Sequence, residues 1–180
     1  MRLFFRKQTS TKVLSEFYCG VGTIDEFIHG NLKFVLDDDM YSFYTVHFET
    51  GELVAMFITS PGAILRKKGA KLKIEETGTL HTTFDDGEFH DMIRYDTLEL
   101  EYLAVQEEYR DNKKDRIGSK IIEELTAQAR NEGKYFITVG AYHESGYSAV
   151  PFYEKNQFCA VEKYDEDKDT LRMYKYIGKE

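Results

Sequence analysis

Between residues 110 and 120 the chain reads "RDNKKDRIGSK", in which Arg110, Lys113, Lys114, Arg116 and Lys120 outnumber Asp111 and Asp115. The run leads into an amphipathic pattern, Ile117, Ile121, Ile122, Leu125 and Ala129, that predicts a helix. A helix N-terminus already carries roughly half a positive charge, so cations gathered there are unfavourable unless something negative joins them. Free backbone N–H groups, the helix dipole and added cations together suit a phosphate, and the plain alternative is a solvated turn. Just upstream, Glu99 and Glu101 sit two apart in "TLELEYLAVQ". That stretch reads as a strand, and period-two alternation puts both carboxylates on one face. Central strands seldom keep paired carboxylates, because burying charge is costly, so the pair is a candidate for proton transfer. The alternative is two ordinary glutamates on an exposed face.

The elements that must hold these groups follow from hydrophobic period and turn residues. A short β-like start at residues 2–5 precedes "SEFYCGVGTIDEFIHGNLKFVL", where the spacing of Ile24, Phe27, Ile28, Leu32 and Val35 predicts two short helices. "SFYTVHFETGELVAMFITSPGAIL" predicts a hairpin turning at "ETGE". Residues 66–94 have weak periodicity around "FDDGEF" and read as an excursion of two strands or a loop. The strand "TLELEYLAVQ", the helix stopped by "NEG" and the strand "KYFITVGAY" then make a βαβ unit, with parallel strands and a right-handed crossover. Ligands of such units sit beyond the carboxyl ends of the strands. "SAVPFYEKNQF" predicts a short helix, and "CAVEKY" and "TLRMYKYI" an antiparallel pair. The expectation is one α/β (α+β) domain over residues 1–180.

Composition narrows the function. The formal charge of −8 argues against an extended nucleic-acid surface and favours a cationic or amine-bearing partner. Five histidines and two isolated cysteines, Cys19 and Cys159, show no metal-ligand spacing, so no metal is expected. No apolar run is long enough to cross a bilayer, and the N-terminus "MRLFFRKQ" lacks a signal-type apolar region, so the expected location is the cytoplasm, with no membrane partner.

Two familiar phosphate loops do not fit. A P-loop needs G-x-x-x-x-G-K-[ST], and here Gly118, Ser119 and Lys120 follow one another with no upstream glycine. A dinucleotide fingerprint needs three glycines, and the loop has one. The stretch "LAVQEEYR" followed by "KKDRIGSKII" resembles the acyl-CoA loop of the GNAT superfamily of N-acetyltransferases, a strand ending L-x-V and then [QR]-x-x-G-x-[GA]. Lys113, Arg116 and Gly118 stand at the three signature positions, with Lys113 for Gln or Arg and Arg116 for the first glycine. "PFYEKNQF" is similar to the family's F-Y-x-x-x-G-F segment, with Gln157 for glycine. The N-terminal "FYCGVGTIDEFI" is similar to the opening F-x-C-G-x-x-x-L-x-x-F-L of bacterial members that include toxins acetylating aminoacyl-tRNA.

The resemblance implies a GNAT-type fold, a mixed and mostly antiparallel sheet with a parallel βαβ unit forming the acyl-CoA cleft. It implies acetyl-CoA as co-substrate, held by Leu103, Ala104, Val105, Arg110, Lys113, Arg116, Ile117, Gly118 and Ser119. It also implies acetyl transfer to a primary amine of a small molecule or protein. Glu99 and Glu101 would be base candidates, with Glu99 favoured because it lies six residues before Val105. Tyr153 would protonate the departing thiolate. Two alternatives stay open, a toxin-like acetyltransferase of aminoacyl-tRNA and a noncatalytic acyl-CoA-binding module. The excursion tip, with Asp85, Asp86, Glu88 and Asp91, would meet a cationic acceptor, or else be a solvated hairpin or a homodimer contact.

Overall fold

The hairpin at "ETGE" forms where Gly51, at φ +90°, turns the chain between β2 (Ser42–Phe48) and β3 (Leu53–Lys67). Positive φ suits glycine, and the turn closes through the Gly51 N–H on the Phe48 carbonyl. The coordinates are a computed structural model that describes residues 2–67, 92–110, 116–144, 146–160 and 169–178. β1 (Leu3–Gln8) lies antiparallel to β2, with Phe5 opposite Val46. β2 lies antiparallel to β3, with Phe43 opposite Ile58 and a bulge between Val46 and His47. The next strands are β4 (Met92–Val105), β5 (Phe136–Glu144), β6 (Tyr147–Ser148), β7 (Cys159–Ala160) and β8 (Thr170–Tyr176). The order is β1-β2-β3-β4-β5-β8-β7, with β6 on β5. The sheet is mixed and mostly antiparallel, and β4 and β5 form the parallel pair that the βαβ reading requires.

The helices are α1 (Gly22–Gly30), α2 (Leu32–Val35), α3 (Glu107–Arg110), α4 (Ile117–Asn131) and α5 (Val150–Lys155). The two short N-terminal helices form over the predicted spacing from Ile24 to Val35, and the start of the quoted stretch stays outside them. Residues 15–21 are not helical, because their backbone groups bond elsewhere. The helix predicted from Ile117 forms with Ile117, Ile121, Ile122, Leu125 and Ala129 all buried. It stops where predicted. Gly133 adopts φ +72°, the Lys134 N–H bonds the Ala129 carbonyl and the Gly133 N–H bonds the Arg130 carbonyl, which satisfies two carbonyls of the last turn. The four-residue α3 has too little sequence for any period to show, and it was not anticipated.

Packing divides the chain into two compact units, Met1–Ser60 with Leu100–Glu124, and Pro61–Glu99 with Leu125–Glu180. The first is cored by Leu14, Phe17, Ile28, Leu32 and the uninterrupted run Val54–Ile58. The second is cored by Phe136, Ile137, Val139, Phe158 and Met173. Apart from Ala55, each such side chain contributes about 1.5–3 kcal/mol on burial. The excursion is described only at its base, where β3 reaches Lys67 and β4 starts at Met92; Asp85, Asp86, Glu88 and Asp91 lie outside the described residues. Of the final predicted pair, β7 and β8 lie antiparallel with Cys159 opposite Tyr174. Among the described residues no helix is long and apolar enough to cross a membrane.

Candidate active site

In the first unit, β4 ends with Ala104 buried and Leu103 and Val105 half-buried. The chain is then pinned residue by residue. The Gln106 N–H donates to the Val54 carbonyl at 2.9 Å, and the Glu107 N–H donates to the Tyr18 carbonyl at 2.9 Å. The Tyr109 hydroxyl donates to Glu52, and its ring meets Phe48 edge-on at 5.2 Å. Arg110, grouped by sequence with the loop cations, donates from Nη1 to the Cys19 carbonyl at 2.8 Å. Lys113 lies outside the described residues. Arg116 is exposed, and its carbonyl accepts the Lys120 N–H at 3.0 Å, so α4 begins on it. Ile117 and Ser119 are buried and Gly118 is half-buried. The first turn of α4 contains no acidic residue, which leaves its positive end for another negative group.

Glu101 also belongs to this unit. It is half-buried and, among the described residues, accepts from the Ser60 hydroxyl to Oε1 at 2.5 Å. Glu99, two residues earlier, is set in a different environment within the second unit. Its side chain is 8% exposed and receives both Nη groups of Arg172, at 2.5 and 2.6 Å, a fork-to-fork ion pair. The Thr138 hydroxyl donates to Glu99 Oε2, and Thr97 Oγ1 lies 3.3 Å from Thr138 Oγ1. Space for the group comes from Gly62 on β3, where a Cβ would stand 2.5 Å from Thr97 Oγ1 and 3.3 Å from Glu99 Cβ.

Tyr153 sits in α5 as the sequence places it. Its ring is buried between Phe152, at 5.0 Å, and Phe158, at 5.3 Å, both edge-on. Burial first, and the charge of a Tyr147 phenolate second, hold its phenol well above the usual tyrosine range, so it carries its proton at neutral pH.

Both departures from the resembled glycines fall on left-handed backbone. Arg116 has φ +46° and Gln157 has φ +70°. At the end of α5 the Phe158 N–H bonds the Tyr153 carbonyl and the Gln157 N–H bonds the Glu154 carbonyl, a helix stop whose middle residue needs positive φ. Glycine takes that conformation freely and glutamine does not. Gln157→Gly is therefore expected to stabilise the protein by about 1 kcal/mol, read as a higher urea midpoint at unchanged slope. An equal or lower midpoint would show that the strain is absent.

Ser60, Thr138 and Arg172 escaped the sequence reading. The usable signals were a glycine inside a strand, Gly62, and an arginine inside the apolar alternation of "TLRMYKYI". Nothing local links Arg172 to Glu99. Among the described residues no cluster of His, Cys, Asp and Glu could hold a metal.

Comparison with known proteins gives this geometry a context. No curated protein matches the sequence. Solved structures do. One described as a bacterial toxin superposes with a TM-score of 0.62 at 16% identity, over 98% of this chain and 91% of the other. AtaTR bound with acetyl-CoA gives 0.61 at 12% identity, over 97% and 94%. AtaT complexed with acetyl-methionyl-tRNAfMet gives 0.58 at 12% identity, over 95% and 94%. At such identities these likenesses speak to the fold. The sequence itself matches the family described as Acetyltransferase (GNAT) over residues 12–158, which takes in most of the chain, and the protein belongs to that family.

Proposed function

We propose that the protein transfers the acetyl group of acetyl-CoA to a primary amine by direct attack. The family match through residues 12–158 carries this reading, because it spans both β4 with its carboxylates and the start of α4. The co-substrate supplies an acetyl group activated as a thioester. The start of α4 fits its phosphates. Gly118 and Ser119 offer backbone N–H groups there, the first turn holds no acid, and Arg116 adds charge, with Arg110 and Lys113 in the sequence that leads up to it. Leu103 to Val105 at the end of β4 supply backbone donors for the thioester arm and for the oxyanion that develops on its carbonyl.

As the amine nitrogen bonds to the carbonyl carbon, the carbon–sulfur bond breaks, one proton leaves nitrogen and one must reach sulfur. We place the first proton on Glu101 rather than on Glu99, which the count from Val105 had favoured. Glu99 already accepts from Arg172 twice and from Thr138, whereas Glu101 accepts only from Ser60 among the described contacts. Glu99 then serves to hold the strand. Tyr153 provides the second proton. Because burial raises its ionisation, kcat is expected to show no alkaline decline up to about pH 10, and Tyr153→Phe to lower kcat by about 10²-fold at all pH values without changing CoA affinity. An alkaline limb that disappears in the phenylalanine variant would contradict the raised ionisation.

For the acceptor, the structure of AtaT with acetyl-methionyl-tRNAfMet supports a second reading, the α-amine of an aminoacyl-tRNA. The net charge of −8 supports a small cationic amine instead. Turnover of acetyl-CoA measured against polyamines, amino acids, peptides and aminoacyl-tRNA tests the proposal. Acetylation of any of them supports transferase activity, and CoA binding without turnover on the whole panel would assign the protein as an acyl-CoA-binding module.

A further inference from the structure

The segment "FYCG" is not helical, and its backbone faces two ways. The Asp25 carboxylate, from the first turn of α1, accepts the Cys19 N–H at 2.8 Å and the Gly20 N–H at 3.0 Å. One carboxylate thereby fixes two consecutive peptide groups. The carbonyls on the other side of the same turn face α3. The Tyr18 carbonyl accepts the Glu107 N–H at 2.9 Å, and the Cys19 carbonyl accepts Arg110 Nη1 at 2.8 Å. Gly20 has φ +75°, and a Cβ on it would stand 2.6 Å from Glu107 Cδ, so the carboxylate of α3 lies directly against the glycine. The Cys19 side chain takes no chemical part in this. Its thiol is buried, 3.9 Å from the Val21 carbonyl, and burial pushes it up to about 12.

We propose that Asp25 is a positioning residue for CoA. Through the Cys19–Gly20 turn it holds α3, and with it Arg110, at the start of the acyl-CoA loop. The inference rests on the function proposed above. Two sets of contacts carry it, and each has a separate origin: a carboxylate on two N–H groups, and two carbonyls on α3. A turn that served only to enter α1 would need the first of these alone. Here the N-terminal motif also determines where the residues after β4 are placed, which gives the spacing from Cys19 to Asp25 a role in binding.

Calorimetric titration with CoA tests this on the full chain. Asp25→Asn puts an N–H donor where an acceptor is needed, and Gly20→Ala puts a side chain on left-handed backbone at φ +75°, straining the same turn. Each is expected to raise the Kd for CoA about tenfold. Glu107→Ala, which removes only the flexible end that lies against Gly20, should leave Kd within about twofold of the parent. A purely structural turn would lower Tm in Asp25→Asn and Gly20→Ala and leave Kd unchanged, and that result overturns the proposal. If Asp25→Asn does not fold, Gly20→Ala decides. A folded parent that fails to bind CoA overturns the proposed function itself, whereas a parent that binds CoA no better than Gly20→Ala overturns only the positioning.

Discussion

Arg172→Met lowers the unfolding free energy by about 3 kcal/mol, near the lower end for breaking a buried ion pair, and Glu99→Gln lowers it by only about 1 kcal/mol. The asymmetry follows from where each partner sits. The Glu99 side chain is 8% exposed and that of Arg172 is 43% exposed. Removing the arginine leaves a charge enclosed by β3, β4 and β5 with Thr138 as its remaining donor among the described contacts. Removing the carboxylate charge leaves a guanidinium that can turn part of itself to water, and the amide oxygen still accepts from Thr138. Arg172→Lys should fall between the two, because a lysine supplies one charge and cannot reproduce two parallel N–H bonds. Urea denaturation at neutral pH reads all three. Equal losses for Arg172→Met and Glu99→Gln would mean that Glu99 is better solvated than its packing indicates.

That ion pair also shows where sequence reading loses its grip. Glu99 stood out because a carboxylate interrupts a buried strand, and the structure has Thr97, Leu98, Glu99 and Leu100 all buried. Its partner lies 73 residues further on, and no period or spacing connects the two. Ser60, which holds Glu101, is an ordinary strand residue, and the Pro61 and Gly62 that follow it mark the place without naming its partner. The βαβ unit was legible because period, glycine punctuation and length all agree over "TLELEYLAVQ", the helix from Ile117 and "KYFITVGAY". The stretch "SEFYCGV" misled for the opposite reason. It carries apolar residues that suit a helix, yet Asp25 and α3 claim its backbone groups, and a tertiary contact overrides local preference. The departures at Arg116 and Gln157 were visible as missing glycines, and the backbone explains them as left-handed positions occupied by residues that tolerate them at a cost.

Glu101→Gln lowers kcat/KM by about 10² to 10³-fold at neutral pH for an alkyl amine acceptor, and the deficit shrinks as the pH approaches that of the amine's own ionisation. The reasoning starts from the acceptor. An alkyl ammonium ionises near pH 10.4, so at pH 7 roughly one molecule in a few thousand is free to attack, and a carboxylate that takes the proton is worth most there. An α-amine ionises near pH 8, so about one molecule in ten is already free at pH 7 and the same carboxylate is worth much less. The size of the Glu101 effect thus reports the acceptor class. A loss of hundreds-fold points to a polyamine or lysine-like amine, and a loss below about tenfold points to the aminoacyl end of a charged tRNA. Glu99→Gln serves as the control, because its oxygens are taken by Arg172 and Thr138 and its loss acts on stability more than on rate. Steady-state kinetics from pH 6 to 10, with CoA affinity followed in parallel, separates the two glutamates. If Glu99→Gln, folded and binding CoA like the parent, shows the deeper pH-dependent deficit, then the base is Glu99, and Arg172 must release it during turnover.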